Sequence, residues 1–150
     1  LSTEKLAIFR RRQIGLIYQF FNLIPTLNVE ENITLPCELD GQTVDKKRLD
    51  KLIDELGLNG RKTHLPEELS GGQQQRVSIG RALINRPAIV LADEPTGNLD
   101  KKNSDEIVEL LRRANQEYRQ TIIMITHNLE IAKTADRVIV IEDGKIIREG

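Results

Sequence analysis

Apolar and polar positions follow two rhythms along this chain, and each predicts a different element. Leu49, Leu52, Ile53 and Leu56 recur at i, i+3, i+4 and i+7, one face of a helix, with Asp45 placed to cap it and Gly57 to end it. Ile107, Leu110, Leu111 and Ala114 form the same stripe within a helix over 103–118. By contrast, AIVLA (88–92), TIIMIT (121–126) and RVIVIED (137–143) are unbroken apolar runs, which predict strands buried on both faces, as in parallel sheets. The helix between the first two runs makes a βαβ unit. Asp143-Gly144 is a hairpin turn, with KIIRE as the returning strand.

The remaining segments are read in the same way. A helix covers 3–12, with Leu6 and Phe9 or Ala7 facing inward, and IGLIY (14–18) is a short strand ending at Gln19. Pro25 and Pro36 break the next stretch, leaving a short helix over 29–35. Another helix opens near Ser70 and stops before Pro87. The chain divides into a helix-rich part, 20–86, and an α/β part, 87–150, which residues 1–19 join.

Composition narrows the class. At 150 residues the chain suits one domain, able to bury roughly 70% of its unfolded surface. Lys and Arg number 22 against 23 Asp and Glu, a net charge of −1, so charge gives no reason to expect nucleic acid or a membrane surface as partner. Arg10, Arg11 and Arg12 read as a solvated helix face. Cys37 is the one cysteine, so no internal disulfide forms, a reducing compartment is expected, and the thiol reads as a packing or surface residue rather than a nucleophile. With no apolar run near the ~20 residues of a membrane span, and no leader pattern, a cytoplasmic chain is expected. A membrane partner held by protein contacts stays open.

Three stretches carry chemistry. In LSGGQQQR (69–76), two glycines sit where a helix begins. Ser70 is a capping residue, Gly71 and Gly72 leave first-turn amides bare for a phosphate, and Gln73 adds a polar side chain. The plain alternative is a flexible loop, but by average residue usage LSGGQ arises by chance in only about one in several thousand chains of this length. The 88–92 strand ends in Asp93 and Glu94, at the strand edge where open α/β sheets bind ligands. Asp93 can hold the Mg²⁺ of a nucleotide, and Glu94 can polarise an attacking water. His127 follows the next strand and reaches the same edge, where it can bond a phosphate or orient the carboxylate. Each has a bland reading, as solvated turn residues or a core histidine.

Together these residues resemble the ATP-binding-cassette (ABC) ATPases. LSGGQQQRVSIGRAL is similar to their signature motif, and IVLADEPTGNLD to their Walker B strand, catalytic glutamate and D-loop. ITHN is similar to the switch histidine region, and Gln19 in IYQFFNLIPTLNVEEN to the Q-loop glutamine. The phrasing is nearest the macrolide-exporter, lipoprotein-release and bacitracin-resistance types. Departures are small: Tyr18 where Phe is commoner, Ser78 and Gly80 where alanines are, and Asn128 where Asp is.

The resemblance implies an α/β, P-loop NTPase-like fold, a mostly parallel sheet with flanking helices plus a helical signature-motif subdomain. It implies ATP and Mg²⁺, with Asp93 and Gln19 at the metal, Glu94 as general base, and His127 on the γ-phosphate. Ser70, Gly71, Gly72 and Gln73 would bind ATP held by a second ATPase subunit, identical or different, with Asp100 linking the sites in a head-to-tail dimer. Transmembrane permease subunits would be further partners, holding the protein on the inner face of the cell membrane, with no nucleic acid involved. Among Phe20, Phe21, Leu23, Ile24 and Leu27, core packing and a groove for a permease helix are both open readings.

No GxxxxGK followed by Ser or Thr occurs in the 150 residues. The expectation is a piece of a longer chain, lacking the P-loop and its strand, which belongs beside the 88–92 strand. Alone it should bind ATP weakly and not turn it over. Two rivals stay open: a non-transport ABC-type ATPase, and a non-hydrolysing module that donates its signature helix in trans.

Overall fold

A computed structural model describes residues 2–150. Its centre is a parallel sheet of β1 (Ile14–Ile17), β2 (Ile89–Asp93) and β3 (Thr121–Ile125), in that spatial order, with Val90 paired to Gly15 on one side and Ile122 on the other. Around it lie α1 (Thr3–Gln13), α2 (Val29–Leu39), α3 (Lys46–Glu55), α4 (Gly71–Leu83), α5 (Lys101–Tyr118) and the single turn α6 (Leu129–Ala132). The hairpin β4 (Ile139–Glu142) and β5 (Lys145–Glu149) forms a separate antiparallel sheet.

Local chemistry sets the helix ends as the spacing predicts. The Asp45 carboxylate accepts from the Lys47 amide at 3.0 Å, and Gly57 leaves α3 with φ +68°. Asp143 and Gly144 both have positive φ, 46° and 73°, the type I′ geometry that matches strand twist. One buried cluster then runs through both halves of the chain: Ile33 and Ile53 from the helical part meet Ile79, Val90 and Ile107. Each such side chain stabilises the fold by about 1.5–3 kcal/mol through apolar burial.

Several expectations need correction. The three apolar runs do not form one sheet buried on both faces. In β2, Val90 and Ala92 face the core while Ile89 and Leu91 are exposed, and Leu16, Ile123 and Ile125 share that open face. The helices that pack on the sheet cover one side among the described residues. Among the described residues the third run pairs only with its own return strand, and β4 and β5 are exposed throughout. Both edges of β2 are occupied, by β1 and β3, so no further strand fits beside it.

The first helix also differs. Nothing on α1 is buried, Leu6, Ala7 and Phe9 are exposed, and its arginines are not simply solvated. Arg11 and Arg12 both reach Asp40, at 3.3 and 2.8 Å. Pro36 lies inside α2, which continues to Leu39, because a single lost amide bond is tolerated where Val29, Ile33 and Cys37 anchor the helix in the core.

Candidate functional site

The carboxyl ends of β1, β2 and β3 place Gln19, then Asp93 and Glu94, then His127 along one edge of the sheet. Asp93 closes β2 and is exposed. Glu94 has left-handed backbone, φ +45°, and its amide donates to the Ile125 carbonyl at 2.9 Å, so the chain turns sharply away from the sheet there. Its side chain is 19% exposed, whereas that of His127 is 95% exposed. His127 Nε2 lies 3.3 Å from Glu94 Oε1. The pair lacks hydrogen-bond alignment, which leaves Oε1 buried without a partner. A sheltered carboxylate oxygen with a vacant lone pair, beside an exposed imidazole, can receive a proton from water.

Gln19 rests on the loop that follows Glu94. Its Nε2 approaches Asn98 Oδ1 at 3.4 Å, and Asn98 Nδ2 donates to the Gln19 carbonyl at 3.1 Å. Phe21 and Asn22, just beyond, both have positive φ, and Arg81 of α4 donates to their carbonyls at 2.9 and 2.6 Å. Sequence reasoning missed Gln75. Its fully buried side chain donates through Nε2 to the Tyr18 carbonyl at 3.2 Å and to the Pro95 carbonyl. It thereby ties α4 to the residue before Gln19 and the residue after Glu94. The signal was available: Gly72, Gln75 and Ile79 share the buried face of α4 at i, i+3 and i+7.

At the start of α4, Ser70 and Gln73 form a reciprocal capping box, Oγ accepting from the Gln73 amide at 3.2 Å and Gln73 Oε1 accepting from the Ser70 amide at 3.0 Å. Ser70 and Gly71 are exposed, and Gly72 is buried. The two glycines differ in kind. A Cβ on Gly72 would strike the Asn103 side chain, so packing against α5 requires glycine there. A Cβ on Gly71 would meet only Leu99 at 3.6 Å and Phe21 at 3.8 Å, ordinary contacts. Among the described residues nothing demands glycine at 71, and its amide donates to none of them. Asp100 caps α5, its Oδ1 accepting from the Asn103 amide at 2.8 Å and Asn103 Nδ2 at 2.9 Å. The amide bond first, and the side-chain bond second, hold its pKa below the ordinary 3.8.

The oxygens of Asp93 and Gln19 are hard donors, and no group of three or more His, Cys, Asp or Glu that could cage a metal occurs among the described residues. That donor set fits Mg²⁺, which keeps waters and leans on substrate phosphates rather than on an all-protein cage. Of the apolar residues after Gln19, Phe20 is 75% exposed and Ile24 40%, while Leu23 packs against the core.

The model of the family described as ABC transporter matches residues 2–97. The chain is 47% identical over 142 residues to an ABC transporter ATP-binding protein of Mycobacterium tuberculosis, covering 93% of this chain and 57% of the relative. It is 44% identical over 153 residues to the macrolide export ATP-binding/permease protein MacB of Rhodopirellula baltica, covering 99% of this chain and 22% of that one. The chain thus spans little more than half the length of the first of these relatives. Among solved structures it is similar to the dimeric ATP-binding cassette MJ0796 in a post-hydrolysis state bound to ADP and Pi, with TM-score 0.86 and 39% identity, covering 100% of this chain and 67% of that one.

Proposed function

The chain belongs to the ABC transporter ATP-binding family, and from that premise we propose that it hydrolyses ATP in a head-to-tail dimer of cassettes to drive export or extraction of a peptide, antibiotic or lipoprotein cargo. The ABC-cassette fold, a parallel sheet with flanking helices, brings Gln19, Asp93, Glu94 and His127 to one edge. The observation that carries the reading is Glu94: a left-handed residue whose buried Oε1 has no hydrogen-bond partner and lies 3.3 Å from His127 Nε2.

In this reading Glu94 takes the proton of the attacking water, and the exposed His127 holds the γ-phosphate in line. Asp93 and Gln19 would hold Mg²⁺, which offsets the charge developing on the phosphate oxygens. Ser70, Gly71, Gly72 and Gln73 serve the nucleotide of the second subunit: the capping box fixes the α4 end, and the open Gly71 amide meets the γ-phosphate. Asp100, fixed on Asn103, orders the loop between the two sites. Phe20 and Ile24 supply an apolar surface for a permease helix. No described helix is long and apolar enough to cross a membrane, so membrane attachment through permease subunits on the inner face is part of the proposal. The dimeric state and the permease fusion of two relatives support it.

The test is Glu94→Gln in the full-length protein. Hydrolysis is expected to fall by about 10²–10⁴-fold, while phosphate contacts survive and an ATP-bound dimer accumulates on size-exclusion chromatography. Unchanged turnover, or only monomer with ATP and Mg²⁺, refutes the assignment.

A further inference from the structure

At the other end of the sheet, the residues that lead into β2 and β3 border a cleft of about 550 Å³. The five residues of β2 separate it from Glu94 by about 17 Å. Lys47, Arg48, Lys51, Arg86 and Arg119 line it, against one carboxylate, Asp45. Asp45 is engaged in capping α3. Lys51 pairs with Glu55 at 3.4 Å, and Arg48 donates to the Leu83 and Ile84 carbonyls at 2.7 and 3.0 Å. Lys47, Arg86 and Arg119 form no ion pair among the described residues. Burial, with the Arg86 charge adding to it, pushes the Arg48 pKa below its ordinary value.

The backbone makes the cluster more pointed. Arg86 and Arg119 both have φ +50°. Each follows a helix, α4 or α5, and each leads into a strand, β2 or β3. That position and conformation favour glycine or asparagine. Arg86 is further out of place because Pro87 restricts the residue before it to extended backbone. The buried Gln120 donates through Nε2 to the Pro87 carbonyl, and Asn115 Nδ2 donates to the Gln120 carbonyl at 2.8 Å, so the two turns are tied into one wall. Glycine at either position folds with less strain, whereas arginine at both brings two forked cations to one small volume.

We propose that this cleft binds a soluble oligophosphate, with Arg86 and Arg119 gripping its phosphates and Lys47 adding a third charge. Clustered cations with forked donors match clustered phosphate oxygens. The volume lies in the range of small-molecule sites.

Titration calorimetry of the full-length protein with tripolyphosphate tests the site. Arg86→Gly and Arg119→Gly are each expected to weaken binding by about tenfold or more, as loss of charge-assisted bonds does. Their melting temperatures are expected to rise, because glycine relieves the left-handed residue. The paired Arg86→Lys, Arg119→Lys variant should retain part of the affinity. Subtracting the double-glycine isotherm from wild type isolates this cleft from any phosphate affinity at the Glu94 end. Tripolyphosphate binding that is absent, or equal in wild type and glycine variants, overturns the proposal. So does capture of phosphatidylglycerol vesicles without tripolyphosphate binding, which assigns the cations to a lipid surface.

Discussion

Gly71 and Gly72 are neighbours with opposite reasons to be glycine. A methyl on Gly72 collides with Asn103, the residue that also anchors Asp100. Gly72→Ala is therefore expected to destabilise the fold by about 1–3 kcal/mol, the usual cost of overpacking, read from urea unfolding. Gly71→Ala meets only ordinary contacts and should leave stability unchanged within about 1 kcal/mol. If its amide faces a partner's nucleotide, the same change weakens ATP-dependent dimer formation on size-exclusion chromatography. Asp100 offers a pH test at the same scale. Its folded pKa lies below the ordinary 3.8 because it accepts two bonds from Asn103. Such a group stabilises the fold fully above its unfolded pKa, and the contribution is lost as pH falls through the folded pKa. Asn at this position still caps but does not titrate. The stability of wild type relative to Asp100→Asn should stay level down to about pH 5 and decline below pH 4. A level difference down to pH 2.5 disproves the assigned bond.

Among elements, α4 does the most joining, and Gln75 is its central tie. Gln75→Leu keeps the volume but leaves the Tyr18 and Pro95 carbonyls without their donor. The expected cost is about 1–3 kcal/mol of stability, and, if Glu94 and Gln19 act as proposed, kcat for ATP in the full-length protein falls more than KM rises, since they lose position rather than substrate contact. An unchanged kcat in a folded variant removes Gln75 from the catalytic frame. What the chain made readable in advance was largely local. The Asp45 and Ser70 caps, the stripe of α5 and the Asp143-Gly144 turn are each set by residues within a few positions. The strand-end order of Gln19, Glu94 and His127 was readable because βαβ connections return each strand to the same edge. Pairing across long separations was not. Ile14 lies against Ile89, and no pattern near either residue says so. An unbroken apolar run marks a strand but not which of its faces is covered or which sheet it joins, so the open side of β2 and the separation of the hairpin from the central sheet were both missed. Gln75 was passed over because a glutamine in a polar triplet looks solvated until its helix face is counted.

At the scale of the whole molecule, the sheet has two unlike sides. Val90 and Ala92 sit on the core, while Leu16, Leu91 and Ile123 stand in the open, and Ile123 is 53% exposed. An apolar face of this kind on the 150-residue polypeptide is expected to bind a hydrophobic dye and promote self-association. The double change Leu16→Thr and Ile123→Thr should reduce both in fluorescence and light scattering, shifting unfolding free energy by no more than about 1 kcal/mol. If dye binding is unchanged, another surface carries it. The opposite side is organised by α4, whose grip on Asn22 and Phe21 through Arg81 lies about 15 Å along the helix from Gly71. Arg81 fastens the Phe21–Asn22 turn to α4, so a displacement of that helix would carry the turn, and the protruding Phe20 before it, along with it.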